Sequence, residues 1–198
     1  MERFDLKLNG KIAMVSGGSR PGGISQRVIE ALVYEGVSVG FADIDPRGKD
    51  LETRLRSEGG KCLFVQSDMR DPKDVEVFIH EILDSYGSPH ILVNCAGGAK
   101  DCGGPTLRET NLEHLISAFI YNLAPPFNLV KTVFPYMCDV DGDKSCILIG
   151  SVNGSIGFLG ELSYSTAKQG MEGMMRTLAS EYSPYLDNVK LDRSIFLT

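Results

Sequence analysis

The chain lacks the features that mark several large classes of protein. It carries no block of basic residues and its formal charge is −6, so we expect no nucleic-acid partner. It has no apolar run near the ~20 residues that a membrane-spanning helix needs. Its first ten residues alternate charged and apolar side chains without an apolar run, so no secretory signal is predicted. With no low-complexity tract either, the sequence indicates an ordinary globular protein, which we expect to be cytoplasmic.

Disulfide bonding and metal ligation have equally little support. The five cysteines are odd in number and show no C-x-x-C spacing, so we interpret them as reduced thiols of an intracellular protein. His80, His90 and His114 have no ligand-like spacing to cysteines or carboxylates. We therefore predict no metal site.

What the sequence does contain is a regular alternation of short β-branched runs with helical patterns. Strands are predicted at residues 12–15, 37–42, 62–65, 91–93 and 146–149, with a sixth over 189–197. Helices are predicted from about residue 24, after residues 45 and 71, from about residue 111, and over 163–182. This order is typical of a doubly wound parallel sheet in a three-layer α/β/α domain of the Rossmann type, spanning residues 1–198.

Proline marks three helix boundaries in this pattern. Asp45-Pro46 and Asp71-Pro72 each place an N-cap acceptor before a proline, which is favoured at the first helical position. Pro125-Pro126 interrupts the long helical stretch that starts near Asn111, so we expect a kink near Asn122.

A glycine-rich segment, residues 16–24, lies between the first strand and the first helix. Glycines there let the backbone approach a pyrophosphate at a helix N-terminus, although such a loop in isolation is often only a turn. Asp43 follows Gly23 by twenty residues at the end of the second strand, the spacing at which a carboxylate reaches the adenosine ribose. Asp43 would repel a 2′-phosphate and favour NAD over NADP, while the nearby cations Arg20 and Arg47 soften that preference. The alternative for Asp43 is a plain solvated carboxylate.

Further polar residues follow the third and fourth predicted strands. Asp68 ends the third strand, and Asn94-Cys95-Ala96-Gly97 ends the fourth. Ligands of open α/β sheets bind beyond the carboxyl ends of the strands, which is where all these residues fall. Asp68 is therefore a candidate for adenine contact, with a helix-capping or turn carboxylate as the alternative.

Tyr164 and Lys168 are four residues apart on a predicted helix and so share one face. The pair alone is weak evidence of a site. Ser151, thirteen residues before Tyr164 at the end of the fifth strand, and Asn122 in the kinked helix add polar groups to it. For these residues the alternatives are a packing tyrosine, a strand end and a helix cap.

In order and spacing, these motifs resemble those of the short-chain dehydrogenase/reductase family. The matching positions are residues 16–24, Asp43, Asp68, residues 94–97, Asn122, Ser151 and residues 164–168. The resemblance implies an NAD(P)-dependent oxidoreductase that acts on CH–OH or C=O groups of a small alcohol or ketone. It implies cofactor contacts from Gly17, Ser19, Arg20, Gly23, Ile24, Asp43, Asp68, Met69, Asn94, Ala96, Gly97, Tyr164 and Lys168.

The same resemblance implies four catalytic roles. Tyr164 is expected to be the general acid/base, but a free phenol has a pKa of about 10, too high for an efficient base at neutral pH. Lys168 is expected to favour the phenolate and to hydrogen-bond the nicotinamide ribose. Ser151 is expected to hold the substrate oxygen, and Asn122 to help order a water for proton relay.

Two departures from the family pattern limit this interpretation. Five residues separate Gly17 from Gly23 where the family has three, and Pro21-Gly22 resembles an insertion. Enoyl reductases of the superfamily have a longer loop, but they separate their Tyr and Lys by six residues; the seventh position after Tyr164 is Met171, so carbonyl/alcohol chemistry is favoured.

The second departure is at the C-terminus, where no Pro-Gly turn, substrate-covering segment or seventh strand follows the predicted sixth strand. Two hypotheses follow. The chain is a shortened working oxidoreductase, or it is a truncated, weakly active or inactive cofactor-binding and oligomerisation protein. In both, we expect a homodimer or homotetramer formed through the helices at 111–137 and 163–182.

Overall fold

The centre of the structure is a sheet of six parallel strands in the order β3-β2-β1-β4-β5-β6. The computed structural model describes residues 5–100 and 106–185 and the backbone of residues 188–192. The strands are β1 Ile12–Ser16, β2 Ser38–Asp43, β3 Cys62–Gln66, β4 Ile91–Asn94, β5 Ser145–Ile149 and β6 Asn188–Asp192. This strand order confirms the predicted doubly wound sheet. The order in which the chain adds strands reverses between β1 and β4, although the strands themselves stay parallel. Of the predicted sixth strand, residues 193–197 lie outside the described residues.

Helices cover both faces of the sheet. They are α1 Ile24–Tyr34, α2 Gly48–Ser57, α3 Pro72–Tyr86, α4 Leu112–Asn122, α5 Ala124–Cys138 and α6 Leu162–Tyr182. Side chains of α1 and α2 share one buried cluster with every second residue of the strands, such as Ala13 and Val15 of β1. Helices α3, α5 and α6 share the other cluster, which takes the alternate residue Met14. The alternation follows from the two-residue period of a strand with both faces buried.

The two Asp-Pro helix starts have different outcomes. Asp71 caps α3 as predicted, because its carboxylate accepts a hydrogen bond from the N–H of Lys73 and Pro72 is the first helical residue. The corresponding prediction for Asp45-Pro46 is wrong, since α2 begins at Gly48. The Asp45 carboxylate is bound to the main chain and guanidinium of Arg47, and the N–H of Gly48 donates to the Asp45 carbonyl in a turn.

The predicted kink near Asn122 is confirmed as a break at Leu123 between α4 and α5. Proline has no N–H, so Pro125 and Pro126 cannot donate to the carbonyls of Tyr121 and Asn122, which lie one helical turn earlier. The helix ladder therefore ends at these two carbonyls and resumes at Leu123, whose carbonyl accepts from Phe127. The break lies beside the carboxyl end of β4, where Asn122 contacts Gly98.

Candidate active site

A cleft of about 650 Å³ runs along the carboxyl ends of the strands. Its walls come from the loops that follow β1 to β5 and from α6, as expected for ligands of an open α/β sheet. The predicted site residues that line it are Gly17, Arg20, Gly23, Ile24, Asp43, Asp68, Met69, Ala96, Gly97, Tyr164 and Lys168. Ser19, Asn94 and Asn122 are buried and do not line the cleft, and Ser151 is half-buried beside the lining residue Gly150.

The glycine-rich loop starts in close contact with β4. Gly17 has a φ of +80°, and a Cβ placed on it would lie 2.9 Å from the main-chain nitrogen of Ala96, so no side chain fits here. The Ser16 hydroxyl donates to the Asn94 side-chain oxygen at 2.8 Å and accepts from the Ala96 N–H at 3.3 Å. Asn94 thus joins the ends of β1 and β4, the two strands between which the sheet order reverses.

The two extra loop residues form a compact turn. The N–H of Gly23 donates to the Arg20 carbonyl at 3.0 Å, with Pro21 and Gly22 at the two central positions. Gly22 has a φ of +70°, so this is a type II turn, and the side chain of Gln26 accepts from its N–H. Helix α1 then begins without any side-chain cap, which leaves its first N–H groups available to an anion. An open helix start with a glycine loop is the donor set that a pyrophosphate requires.

Asp43 holds this loop in place. One carboxylate oxygen accepts from the N–H of Ser19 at 2.9 Å, and the other accepts from the N–H of Asp45 at 3.0 Å. The Ser19 hydroxyl donates to the Asp45 carbonyl at 2.8 Å. Of the two cations predicted to lie nearby, Arg47 forms an ion pair with Asp45, whose pKa it lowers to about 2. Arg20 is exposed and lines the cleft.

The lining of the cleft contains two residues that sequence reasoning missed, Arg70 after β3 and Tyr121 on α4. The Arg70 guanidinium binds the Asp68 carboxylate at 2.8 and 3.0 Å and holds the pKa of that carboxyl below its usual range. The same guanidinium lies 4.5 Å from the centre of the Tyr121 ring, and both residues line the cleft. The Asp68 carboxylate does not cap α3; it accepts from the N–H of Arg70 at 2.9 Å, which agrees with the turn-carboxylate alternative. The N–H of Asp68 donates to the side chain of Asp74. The available signal was the position of Tyr121 directly before Asn122.

At the other end of the cleft, Lys168 and Tyr164 lie together on α6. The Lys168 ammonium is almost fully buried, donates to the Ile149 carbonyl at 3.1 Å, and lies 5.7 Å from the centre of the Tyr164 ring. A short 3-10 helix, Val152–Gly154, packs on the main chain of Lys168. A Cβ on Gly154 would lie 3.0 Å from the carbonyl carbon of Lys168. The ammonium is thus held between β5 and the tyrosine.

Asn122 fixes the loop after β4 to the helix break. Its side-chain oxygen accepts from the Gly98 N–H at 3.0 Å, and its amide donates to the carbonyls of Gly98 at 2.9 Å and Ala118 at 3.0 Å. Both amide hydrogens are therefore used within the protein. A Cβ on Gly97 would lie 2.8 Å from the Asn122 oxygen and 3.4 Å from the Lys168 nitrogen, so the absence of a side chain at Gly97 leaves room for both.

Ser151 lies where β5 leads into the 3-10 helix. Its hydroxyl oxygen accepts from the Asn153 N–H at 3.2 Å and so caps that short helix. This contact fits the alternative in which Ser151 only ends the strand. Contact of Ser151 with a substrate stays a prediction.

Among residues 5–100 and 106–185, no three His, Cys, Asp or Glu side chains are grouped to hold a metal ion. No described helix has both the length and the apolar character to cross a membrane.

Comparison with known proteins agrees with this architecture. The family described as short chain dehydrogenase matches residues 11–191. The 3-oxoacyl-(acyl-carrier-protein) reductase FabG of Salmonella typhimurium is 33% identical over 180 residues, covering 89% of this chain and 69% of that protein. The acetoacetyl-CoA reductase of Allochromatium vinosum is 31% identical over 175 residues, covering 86% and 68%.

Solved structures show the same similarity. A short chain oxidoreductase of Pseudomonas aeruginosa, described as NADPH-bound and as containing an atypical catalytic center, superposes with a TM-score of 0.82 at 25% identity. The superposition covers 88% of this chain and 67% of that one. With a family match over nearly its whole length, the chain belongs to the short-chain dehydrogenase/reductase family.

Proposed function

We propose that the protein is an NAD(H)-dependent oxidoreductase that moves hydride between the cofactor and a carbonyl or alcohol carbon. The observation that carries this proposal is the Lys168–Tyr164 pair at one end of a cleft whose other end holds the glycine loop and Asp43. When bound, the nicotinamide supplies or accepts the hydride. The fit of the cofactor is supported by the uncapped start of α1 and by Gly17, where a Cβ would collide with β4.

Tyr164 would exchange the proton that the reaction requires. Reduction of a carbonyl adds a hydride to carbon and a proton to oxygen, and oxidation of an alcohol removes both. The Lys168 ammonium, held by the Ile149 carbonyl, places a positive charge beside the tyrosine and favours its phenolate. A phenol that gains and loses its proton more readily is a better acid/base at neutral pH.

Asn122 would act through its main chain rather than its side chain. The side-chain amide hydrogens are already donated to Gly98 and Ala118, whereas Pro126 deprives the Asn122 carbonyl of its helical donor. That carbonyl is a suitable acceptor for a water in a proton relay to Lys168. Ser151 would bind the substrate oxygen through its hydroxyl hydrogen, which in this structure donates to the Asn153 side-chain oxygen at 3.5 Å and would turn from it to the substrate.

NAD is proposed over NADP because Asp43 lies on the cleft at the end of β2 and would repel a 2′-phosphate. Pairing of Arg47 with Asp45 removes one of the two cations that would oppose this preference, and Arg20 remains on the cleft. Fluorescence titration with NADH and NADPH tests the choice. Tighter NADH binding is expected, and the Asp43→Ser variant should narrow the difference; tighter NADPH binding by the unaltered protein would refute the preference.

The substrate is proposed to be a small ketone or alcohol, and the names of the two relatives make 3-oxoacyl thioesters the first compounds to assay. The hypothesis of a weakly active or inactive cofactor-binding protein predicts NADH binding without turnover. A turnover assay over a panel of ketones, alcohols and 3-oxoacyl thioesters, with Tyr164→Phe as control, separates the two. Failure to bind either cofactor would refute both.

A homodimer or homotetramer formed through α4, α5 and α6 is proposed, and it is supported by an apolar stripe along α4 and α5. The side chains that share it are exposed by 39–64%: Leu112, Ile116, Phe119, Ile120 and Phe127. The spacing of the four on α4 places them on one face, and Phe127 lies on α5 just past the break. An exposed apolar surface of this kind marks an interaction site. Light scattering should give the dimer or tetramer mass, and Ile116→Glu should give the monomer; a monomeric unaltered protein would exclude this assembly.

A further inference from the structure

The same Asp-x-Arg turn occurs twice at the cofactor edge of the sheet. In the first, the Arg47 N–H and guanidinium bind the Asp45 carboxylate at 2.9 and 3.0 Å. In the second, the Arg70 N–H and guanidinium bind the Asp68 carboxylate at 2.9 and 2.8 Å. The turns follow the neighbouring strands β2 and β3, and their aspartate side chains are equally exposed, at 30% and 31%. Their local chemistry is therefore matched.

The two arginines differ in what lies beyond the turn. The Arg47 side chain is 61% exposed, whereas that of Arg70 is 30% exposed and lies over the ring of Tyr121. Asn128 of α5 also donates to the carbonyls of Met69 and Arg70, each at 3.1 Å. The second turn is thus attached to both helices that meet at the break. It contacts α4 through the Tyr121 ring, and α5 through the hydrogen bonds that the Asn128 side chain donates to its carbonyls.

We propose that Arg70 is a positioning residue that fixes the adenine wall of the cleft to the helix break carrying Asn122. The connection runs from the Asp68 carboxylate through the Arg70 guanidinium to the Tyr121 ring, and then along the chain to the next residue, Asn122. Asn122 continues it to Gly98 at the catalytic end. This rests on the proposed function, and it adds that ordering of the Asp68–Met69 wall by a bound adenosine steadies the Asn122–Gly98 contact.

Arginine is suited to this position for a geometric reason. Its planar guanidinium can bind a carboxylate side-on while its face stacks on an aromatic ring, which a lysine ammonium cannot do. Asp68 chiefly, and Tyr121 in addition, hold the pKa of Arg70 above its usual value, so the group stays charged at every working pH. Tyr121 and Arg70 both line the cleft, so a bound adenosine would lie against the connection itself.

Arg70→Lys tests the proposal, with Arg47→Lys as the matched control that makes the same change in the same turn. Binding of NADH and of reduced nicotinamide mononucleotide, which lacks the adenosine, is measured for each protein. Amide hydrogen exchange is followed at Gly98 and Leu123 with and without ligand. Loss of the stacked contact should weaken NADH binding of Arg70→Lys about threefold to tenfold, with Arg47→Lys unchanged.

The exchange measurement distinguishes positioning from simple adenine contact. NADH should slow exchange of the Gly98 amide in the unaltered protein and in Arg47→Lys but not in Arg70→Lys. Tyr121→Leu should likewise abolish the NADH-dependent protection of the Gly98 amide, and Tyr121→Phe, which keeps the ring, should retain it. Reduced nicotinamide mononucleotide should bind Arg70→Lys and the unaltered protein equally.

Two results would overturn the proposal. One is full protection of Gly98 by NADH in Arg70→Lys, which would reduce Arg70 to a local contact; the other is equal behaviour of Arg70→Lys and Arg47→Lys. Failure of the unaltered protein to bind NADH is a different result, because it refutes the proposed function itself and the positioning role with it.

Discussion

Substitution of Gly97 by alanine would disturb the centre of the proposed catalytic site with a single methyl group. Gly97 has a φ of +145°, a conformation that costs an L-residue about 1–3 kcal/mol. The new Cβ would lie 2.8 Å from the Asn122 oxygen, which is buried and held by Gly98. Asn122 cannot rotate away without breaking that bond, at a further cost of about 0.5–1.5 kcal/mol. We therefore expect the free energy of unfolding to fall by about 2–4 kcal/mol.

The effect on catalysis should exceed the effect on stability. The same Cβ would lie 3.4 Å from the Lys168 nitrogen, so a displacement of Asn122 also crowds the ammonium. A misplacement of about 1 Å near the reacting groups lowers turnover by about a hundredfold. Urea denaturation and steady-state turnover should be measured at a temperature where Gly97→Ala is fully folded.

Gly98→Ala is the matched control, because the neighbouring glycine has ordinary φ and no atom within 4 Å of its added Cβ. Its stability should stay within about 1 kcal/mol of the unaltered protein, since the substitution also reduces the freedom of the unfolded chain. Equal stability and turnover for Gly97→Ala and Gly98→Ala would refute the close approach of Gly97, Asn122 and Lys168.

Further predictions concern the glycine-rich loop and the pH dependence of stability. Gly17→Ala should abolish NADH binding, because its Cβ would lie 2.9 Å from the main chain of Ala96. Gly22→Ala, at a similar positive φ but in open space, should lose only about 1 kcal/mol of stability. Equal NADH affinity of the two variants would contradict the close packing of Gly17 on Ala96. Burial first, and Lys11 and Lys144 in addition, lower the pKa of His90, whose ring accepts from the Ile12 N–H. The unfolded chain therefore binds the proton first, so stability should fall as the pH drops below about 6.5, and urea titrations of His90→Gln should lack that decline.

The parts of the fold that the sequence could predict are those fixed by local chemistry. β1 and β4 are apolar at successive positions and buried on both faces, so their strands and their parallel pairing follow from composition. Asp71-Pro72 caps its helix because the Asp71 carboxylate accepts from the N–H of Lys73. Asp45-Pro46 does not, because the nearby Arg47 binds the Asp45 carboxylate in a turn.

The parts that could not be predicted depend on contacts between distant segments. Arg70 and Tyr121 are fifty-one residues apart, and no local pattern indicates that a guanidinium would lie on that ring. Asn122 is predicted to help order a water, and the structure adds that both of its side-chain amide hydrogens are donated within the protein, to Gly98 and Ala118. Sequence spacing singles out the residue, but its hydrogen-bond partners depend on the packing of α4 against the loop after β4.

Deuterium transfer from labelled NADH tests the central claim most directly. NADH carrying deuterium at both positions of C4 of the nicotinamide is incubated with a 3-oxoacyl thioester or a ketone from the panel, and the product alcohol is analysed by mass spectrometry. The unaltered protein should place deuterium on the former carbonyl carbon, and Tyr164→Phe should do so about a hundredfold to ten-thousandfold more slowly. NADH binding without deuterium transfer to any substrate in the panel, or an undiminished rate in Tyr164→Phe, would contradict the assignment of hydride transfer to this site.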